Sequence, residues 1–200
     1  MTIKLDEAQL AHIRLAGNIV YENIDSCLSI TCFCVADLTQ DHHLVSLIGA
    51  HANMFPNVTK NELNLKQIID EMVLYIHENR CRVKALYLIG ATAEWTKLFN
   101  KPDSLAWMDG PNYSKWLTYS SVNGKTIVLK SVEDIGKVVN AEHVEAINGS
   151  DLVPSSQEYK RSLYVDFDLT SRKLRILNHA NRDTKYKEID LLDHTVPSYI

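Results

Sequence analysis

Three of the four cysteines of this chain lie in one stretch, "NIDSCLSITCFCVAD", residues 23–37, and a histidine is set in the apolar run "LIGAHANMF" that follows. A cysteine and a histidine brought together are the smallest nucleophile and base that can open an amide or ester. A free thiol with a pKa near 8.5 is only a few per cent thiolate at neutral pH. A neighbouring imidazole raises its reactivity by taking the proton, and can return that proton to a leaving group. The competing uses of cysteine are a disulfide, a metal site or simple packing. Four cysteines in 200 residues are too sparse for a disulfide scaffold. Cys32 and Cys34, two apart on a strand, share a face, whereas Cys27 lies on the opposite one, so a regular strand cannot bring all three to one ion. Neither a metal nor a cofactor is expected, and the tandem His42-His43 reads as a solvated loop pair.

The elements that must position the pair are two apolar, alternating runs, 26–36 and 44–52, joined by the polar "DLTQDHH". Paired as a hairpin with the turn centred on Thr39, they set Cys27 opposite His51, with Cβ atoms about 4.5–5.5 Å apart. A shift of one residue would carry His51 to the other face. Backbone N–H groups around Ser26-Cys27-Leu28 are then candidate donors to an oxyanion. Ser29 and Thr31 share the face of Cys27 and are candidates to line the pocket, or are ordinary strand polarity. The alternative for the pair itself is that Cys27 is a small buried apolar residue and His51 a satisfied core histidine.

Elsewhere, apolar spacing predicts helices over 6–16 and over 62–79, the latter with a stripe of Leu65, Ile68, Ile69, Met72, Val73 and Ile76. "VKALYLIGA", residues 83–91, is a continuous apolar run typical of a strand covered on both faces. Residues 95–121 read as irregular and aromatic-rich, with Trp95, Trp107, Tyr113, Trp116 and Tyr119 forming either a docking lid or local core. A strand follows at 125–130, then a helix over 131–149 capped by Ser131, then a hairpin over 162–177. The expected fold is one α+β layered domain spanning 1–200, with a mixed or antiparallel sheet, an N-terminal hairpin carrying the Cys-His pair, and two long packing helices.

The net charge of −4 and pI near 6.0 argue against a broad electrostatic grip on nucleic acid. No apolar run reaches bilayer length, and "MTIKLDEAQLAHIRL" carries acidic residues where an export signal is apolar. A cytoplasmic location is expected, with delivery into a host cell by a dedicated secretion system also compatible.

The hairpin "IDSCLSITCFCVAD…LVSLIGAHANMF" resembles the Ser-Cys strand and histidine-bearing return strand of the CheD-like chemoreceptor glutamine deamidases. The likeness continues in order through "LKQIIDEMVLYIHENRCRVKALYLIGATAEW", "IGKVVNAEHVEAI", "SDLVPSSQEYKRSLYVDFDLTSRKLRIL" and "YKEIDLL", over roughly residues 19–192. The resemblance implies a cysteine-dependent protein-glutamine deamidase, related in its site to toxins of the cytotoxic necrotizing factor class. In it Cys27 is the nucleophile and His51 the acid–base. The family's threonine six residues before the cysteine is replaced by Tyr21, whose main-chain carbonyl is then the candidate to orient the imidazole, with Asn53 second. Ser26, Ser29, Thr31 and Asn53 fall in the substrate-binding positions. The implied partner is a protein bearing the target glutamine, a chemoreceptor or a host protein. Gly-Gly pairs of the family become Gly90-Ala91 and Val153-Pro154, which points away from chemoreceptor helices and toward another protein target. The rivals are a catalytically silent binding module and a transglutaminase-like acyl transfer.

Overall fold

A computed structural model describes residues 1–7, 9–39, 42–54, 64–101, 117–153 and 162–191. It contains two five-stranded sheets. The first holds β1 (Thr2–Leu5), β3 (Asn18–Ile24), β10 (Leu163–Asp168), β11 (Lys173–Asn178) and β12 (Lys185–Asp190), in that spatial order. The second runs β2 (Gln9–Arg14), β5 (His42–Ala52), β4 (Leu28–Thr39), β6 (Cys81–Gly90), β9 (His143–Asn148). A two-stranded ribbon, β7 (Thr118–Ser120) with β8 (Thr126–Val128), lies beside them in sequence. The mixed α+β class therefore holds, with strands dominant.

The period of two along β4 decides the layering. Phe33 and Val35 point into a core shared with Tyr21, Val165 and Phe167 of the first sheet. Leu28, Ile30, Cys32 and Cys34 point the other way, onto α1 (Leu65–Glu78) and α3 (Asp134–Val139). The expected opposition of Cys27 to Cys32 and Cys34 is seen, and all four cysteines are free. β6 serves both layers, Leu86 and Leu88 on the helical side and Tyr87 and Ile89 between the sheets. That explains its unbroken apolar run. α1 buries the stripe read from the sequence except that Val73 is only partly covered, and Asn64 with Gln67 forms its capping box.

One of the expected helices is not formed and another ends early. Residues 6–16 are instead a turn and β2, because β5 offers an unpaired edge to which Gln9–Arg14 hydrogen-bond along their length. Leu15 and Gly17, at φ +66° and +121°, then reverse the chain into β3. The expected helix over 131–149 stops at Val139, where Asn140 adopts the left-handed conformation and Ala141 N–H bonds back to the Gly136 carbonyl. His143–Asn148 then pairs in parallel with β6 as β9. The helix start is secured by Asp134, whose carboxylate accepts from the amides of Lys130 and Ser131, rather than by Ser131. Only one of the described helices is long.

The stretch read as irregular opens with α2 (Thr92–Phe99), in which Trp95 is buried against Phe99. Trp107, Tyr113 and Trp116 lie outside the described residues. His42 and His43 begin β5, paired with Thr39 and Asp37, rather than sitting in a loop.

The chain changes sheets twice at one end of this sandwich. β1 and β3 run parallel, Leu5 beside Tyr21, and both leave the first sheet in the same direction. Their continuations, β2 and β4, flank β5, with Gln9 and Ser29 on either side of His51. The corners at 6–7 and 25–27 therefore meet at the end of β5. Gly90 closes the arrangement. At φ +137° its missing Cβ leaves room for the Cys27 carbonyl oxygen, which accepts from Ala91 N–H at 3.1 Å. We expect Gly90→Ala to cost about 2–4 kcal/mol in urea unfolding, since backbone strain and backbone overlap coincide there. Gly124→Ala, also left-handed but facing open space, should cost about 1 kcal/mol.

Candidate active site

Cys27 and His51 lie on the same side of the second sheet, facing the first, as the alternation requires. The register differs by one diagonal step from the expected one. His51 stands opposite Ser29, and Leu28 opposite Ala52 is the last pair of the ladder. The slip from the expected pairing is two residues, and an even slip retains the face. On a regular ladder a diagonal neighbour stands about 7–8 Å away instead of directly opposite. Cys27 sits just before the strand, on the sheet-switching corner.

Both side chains are buried, Cys27 with 3% and His51 with 1% of their surface exposed. The His51 Nδ1 lies 3.2 Å from the Leu5 main-chain carbonyl. A carbonyl only accepts, so Nδ1 carries the proton and the free lone pair is on Nε2. That Nε2 is buried and has no hydrogen-bond partner among the described residues. The orienting carbonyl is therefore that of Leu5, in place of the expected Tyr21. The two residues are neighbours across β1 and β3, so the correction is one strand wide. Burial lowers the His51 pKa, opposed by the Leu5 carbonyl and by the charges of Glu7 and Asp6. The imidazole rests neutral, a base with an open lone pair.

Tyr21 contributes packing instead. Its ring meets that of His51 edge-on with centroids 6.0 Å apart, and its hydroxyl is paired with Thr31 Oγ1 at 2.7 Å and the Ile30 carbonyl at 3.3 Å. Gly49 makes this possible, for a Cβ there would overlap the Tyr21 hydroxyl. Thr31 is thus committed to Tyr21, and Ser29 donates to the Ile89 carbonyl at 3.1 Å. Both are fully buried, with their hydroxyls satisfied inside the sandwich. They shape the floor under His51.

Ser26 lies elsewhere. With Asp25, Gly90, Ala91, Glu94 and Asn148 it lines a cleft of about 240 Å³ beside Cys27. Its carbonyl accepts from the Trp95 indole at 3.2 Å. With the Cys27 carbonyl held by Ala91, the corner is pinned to α2 at two consecutive carbonyls.

The sequence reading overlooked Glu7. Its Oε1 accepts from the Cys27 thiol at 3.6 Å, and its Oε2 accepts from the Asn53 side-chain amide at 2.7 Å. Nothing in local composition separates Glu7 from Asp6. Only the pairing of 9–14 with β5, hidden by the helix-like spacing, carries it to the thiol. Burial, then the charge and hydrogen bond of Glu7, push the Cys27 thiol up to about 12. The Ser26 hydroxyl acts in the opposite sense. The resting pair is therefore a thiol and a neutral imidazole, not a thiolate and imidazolium. Among the described residues no cluster of three metal-ligating side chains occurs. Also among them, no helix is long and apolar enough to cross a membrane.

A pH series tests the resting state. With the thiol pKa near 12, iodoacetamide labelling of Cys27 should rise about tenfold per pH unit from pH 7 to 10, without a plateau, because the thiolate fraction grows over that whole range. A plateau below pH 8, followed by peptide mass spectrometry, would reveal a preformed thiolate instead.

No protein-family model matches this sequence, and no curated protein does.

Proposed function

We propose that this protein is a cysteine-dependent protein-glutamine deamidase, with Cys27 as nucleophile and His51 as acid–base. The observation that carries the reading is the buried, unpartnered Nε2 of a neutral imidazole, its other nitrogen tied to a main-chain carbonyl, on the face that also bears Cys27. A core histidine without function normally satisfies both nitrogens. The order of segments resembling the CheD-like deamidases supports the substrate class.

In the reaction, Nε2 takes the thiol proton as Sγ attacks the side-chain carbonyl carbon of a substrate glutamine. A carbon–sulfur bond forms and the carbonyl electrons move onto oxygen. The proposed donors to that oxygen are the Asn53 amide, which donates to Glu7 in the resting site, and the backbone amides around Ser26-Cys27-Leu28. Collapse breaks the carbon–nitrogen bond, and the imidazolium returns the proton to departing ammonia. Water, deprotonated by the same imidazole, then opens the thioester and restores the thiol, leaving glutamate. The partner gains one negative charge, enough to rearrange a local ion pair. The target is a glutamine of a chemoreceptor or host protein. Action in the cytoplasm, whether the cell's own or a host's, fits such a target.

A second reading, a silent binding module, draws on the high pKa of Cys27. Incubation of the protein with a cell extract, followed by proteome-wide mass spectrometry, separates the two. The deamidase reading expects specific glutamines to gain about 1 Da, with the gain lost in both Cys27→Ser and His51→Ala. Incorporation of an added small amine in place of that gain would mean acyl transfer. A pattern unchanged by both variants would sink the enzyme.

A further inference from the structure

Among the described residues, Glu7 is the one charged side chain that touches the thiol, and it does so with the functional group that the proposed reaction produces. A glutamate carboxylate and a glutamine carboxamide have the same shape and differ by one atom type. The Glu7 carboxylate lies between two partners: the Cys27 thiol at 3.6 Å from Oε1 and the Asn53 amide at 2.7 Å from Oε2. A reactive carbonyl must stand about 3–3.5 Å from its nucleophile. A carboxamide placed on this carboxylate would set one polar atom against Sγ and the other against Asn53, its carbonyl carbon one bond from the atom the thiol touches.

The surroundings fit a subsite and not a surface ion contact. The thiol is buried, and the unpartnered His51 Nε2 is on the same face of the sheet. Glu7 is itself exposed on the corner between β1 and β2, so its side chain can swing out without disturbing either strand. Asp6 N–H is held by the Gln9 side chain at 3.1 Å, which fixes the backbone of that corner while leaving the Glu7 side chain to rotate.

Resting on the deamidase reading, we infer that Glu7 is a resident occupant of the acyl subsite, a tethered stand-in for the substrate glutamine, and that a substrate enters by displacing it. Asn53 is then the residue that recognises the side-chain amide, handed from Glu7 to the incoming glutamine. Displacement also removes the thiol's acceptor, which frees the thiol proton for His51. The site takes an extended side chain ending in a carboxamide, which must reach past the corner at Asp6-Glu7.

Alkylation of Cys27 by iodoacetamide in the full chain, quantified by peptide mass spectrometry at one fixed pH, tests the occupancy without an outside substrate. Glu7→Ala should label at least about tenfold faster than the unaltered protein, because it removes both bulk and charge. Glu7→Met loses the charge and hydrogen bond but keeps the bulk, so it should accelerate labelling clearly less than Glu7→Ala. No acceleration in Glu7→Ala overturns the inference. Equal acceleration in both variants means that charge alone restrains the thiol, and overturns it too. Glu7→Gln then reads the chemistry separately, by placing a carboxamide in the subsite. Its own residue 7 should gain about 1 Da over time, and the gain should vanish when Cys27→Ser is added. Labelling that follows the expected order while the introduced carboxamide stays intact would keep the occupant and dismiss the deamidase.

Discussion

Two strands that run side by side in the same direction must leave their sheet at the same end, and this constraint arranges everything else. β1 and β3 are such a pair, and each continues directly into the opposite sheet. Their continuations share one neighbour, β5, whose last residues therefore face both corners. The first corner brings Glu7, the second brings Cys27, and β5 brings His51, with Asn53 just past its end. The corner at Cys27 is then locked by main-chain hydrogen bonding to Ala91 and by the Trp95 indole on Ser26, with glycine at position 90 the only residue type that admits the close approach. On the deamidase reading, a nucleophile held by its own backbone on a sheet-switching bend has little rotational freedom to lose on attack, which is the condition for efficient positioning.

Burial sets the electrostatics of the pair. An ion pair of thiolate and imidazolium would need two charges withdrawn from water, at a cost that mutual attraction repays only with further hydrogen bonds. Here Nε2 has no such bond among the described residues, and the charged groups around the thiol are acidic. Glu7 and Asp6 favour a proton on His51, while Glu7 and Asp25 oppose charge on Cys27. The neutral pair is the consequence. On the deamidase reading the thiolate exists only as the attack proceeds, and the acidic rim stabilises the imidazolium formed at that moment.

What the sequence disclosed divides along range of interaction. α1, β4, β5, β6 and the β10–β11 hairpin carry strong periodicity over most of their length, and each was legible. So was the shared face of Cys27 and His51, because parity survives an even slip in register. The direct opposition did not survive, since the turn centre depends on loop geometry that periodicity does not encode. β2 and β9 were misread as helix for one reason. Leu10 with Ile13, and Val144 with Ile147, fit helical spacing, while the partners that made them strands, β5 and β6, lie far away in sequence. The role of Glu7 vanished with the misreading of β2. Tyr21 was one strand away from the true orienter, Leu5, because the parallel pairing of β1 with β3 has no local signature.

The acidic rim also gives the proposed reaction a direction. A neutral carboxamide enters the subsite without electrostatic penalty, whereas the carboxylate it becomes is set beside Asp6 and Asp25. A free product should therefore leave readily. Glu7 is held in this place by the Asn53 amide and by its tether, and a tether of a few residues supplies an effective concentration of about millimolar or more. A weakly held carboxylate at that concentration is enough to cover the thiol when no substrate is present. It is also weak enough for a docked partner to displace. Selectivity would then reside less in the glutamine itself than in the partner surface that brings it to the corner, since only a target held nearby competes with a group that never leaves.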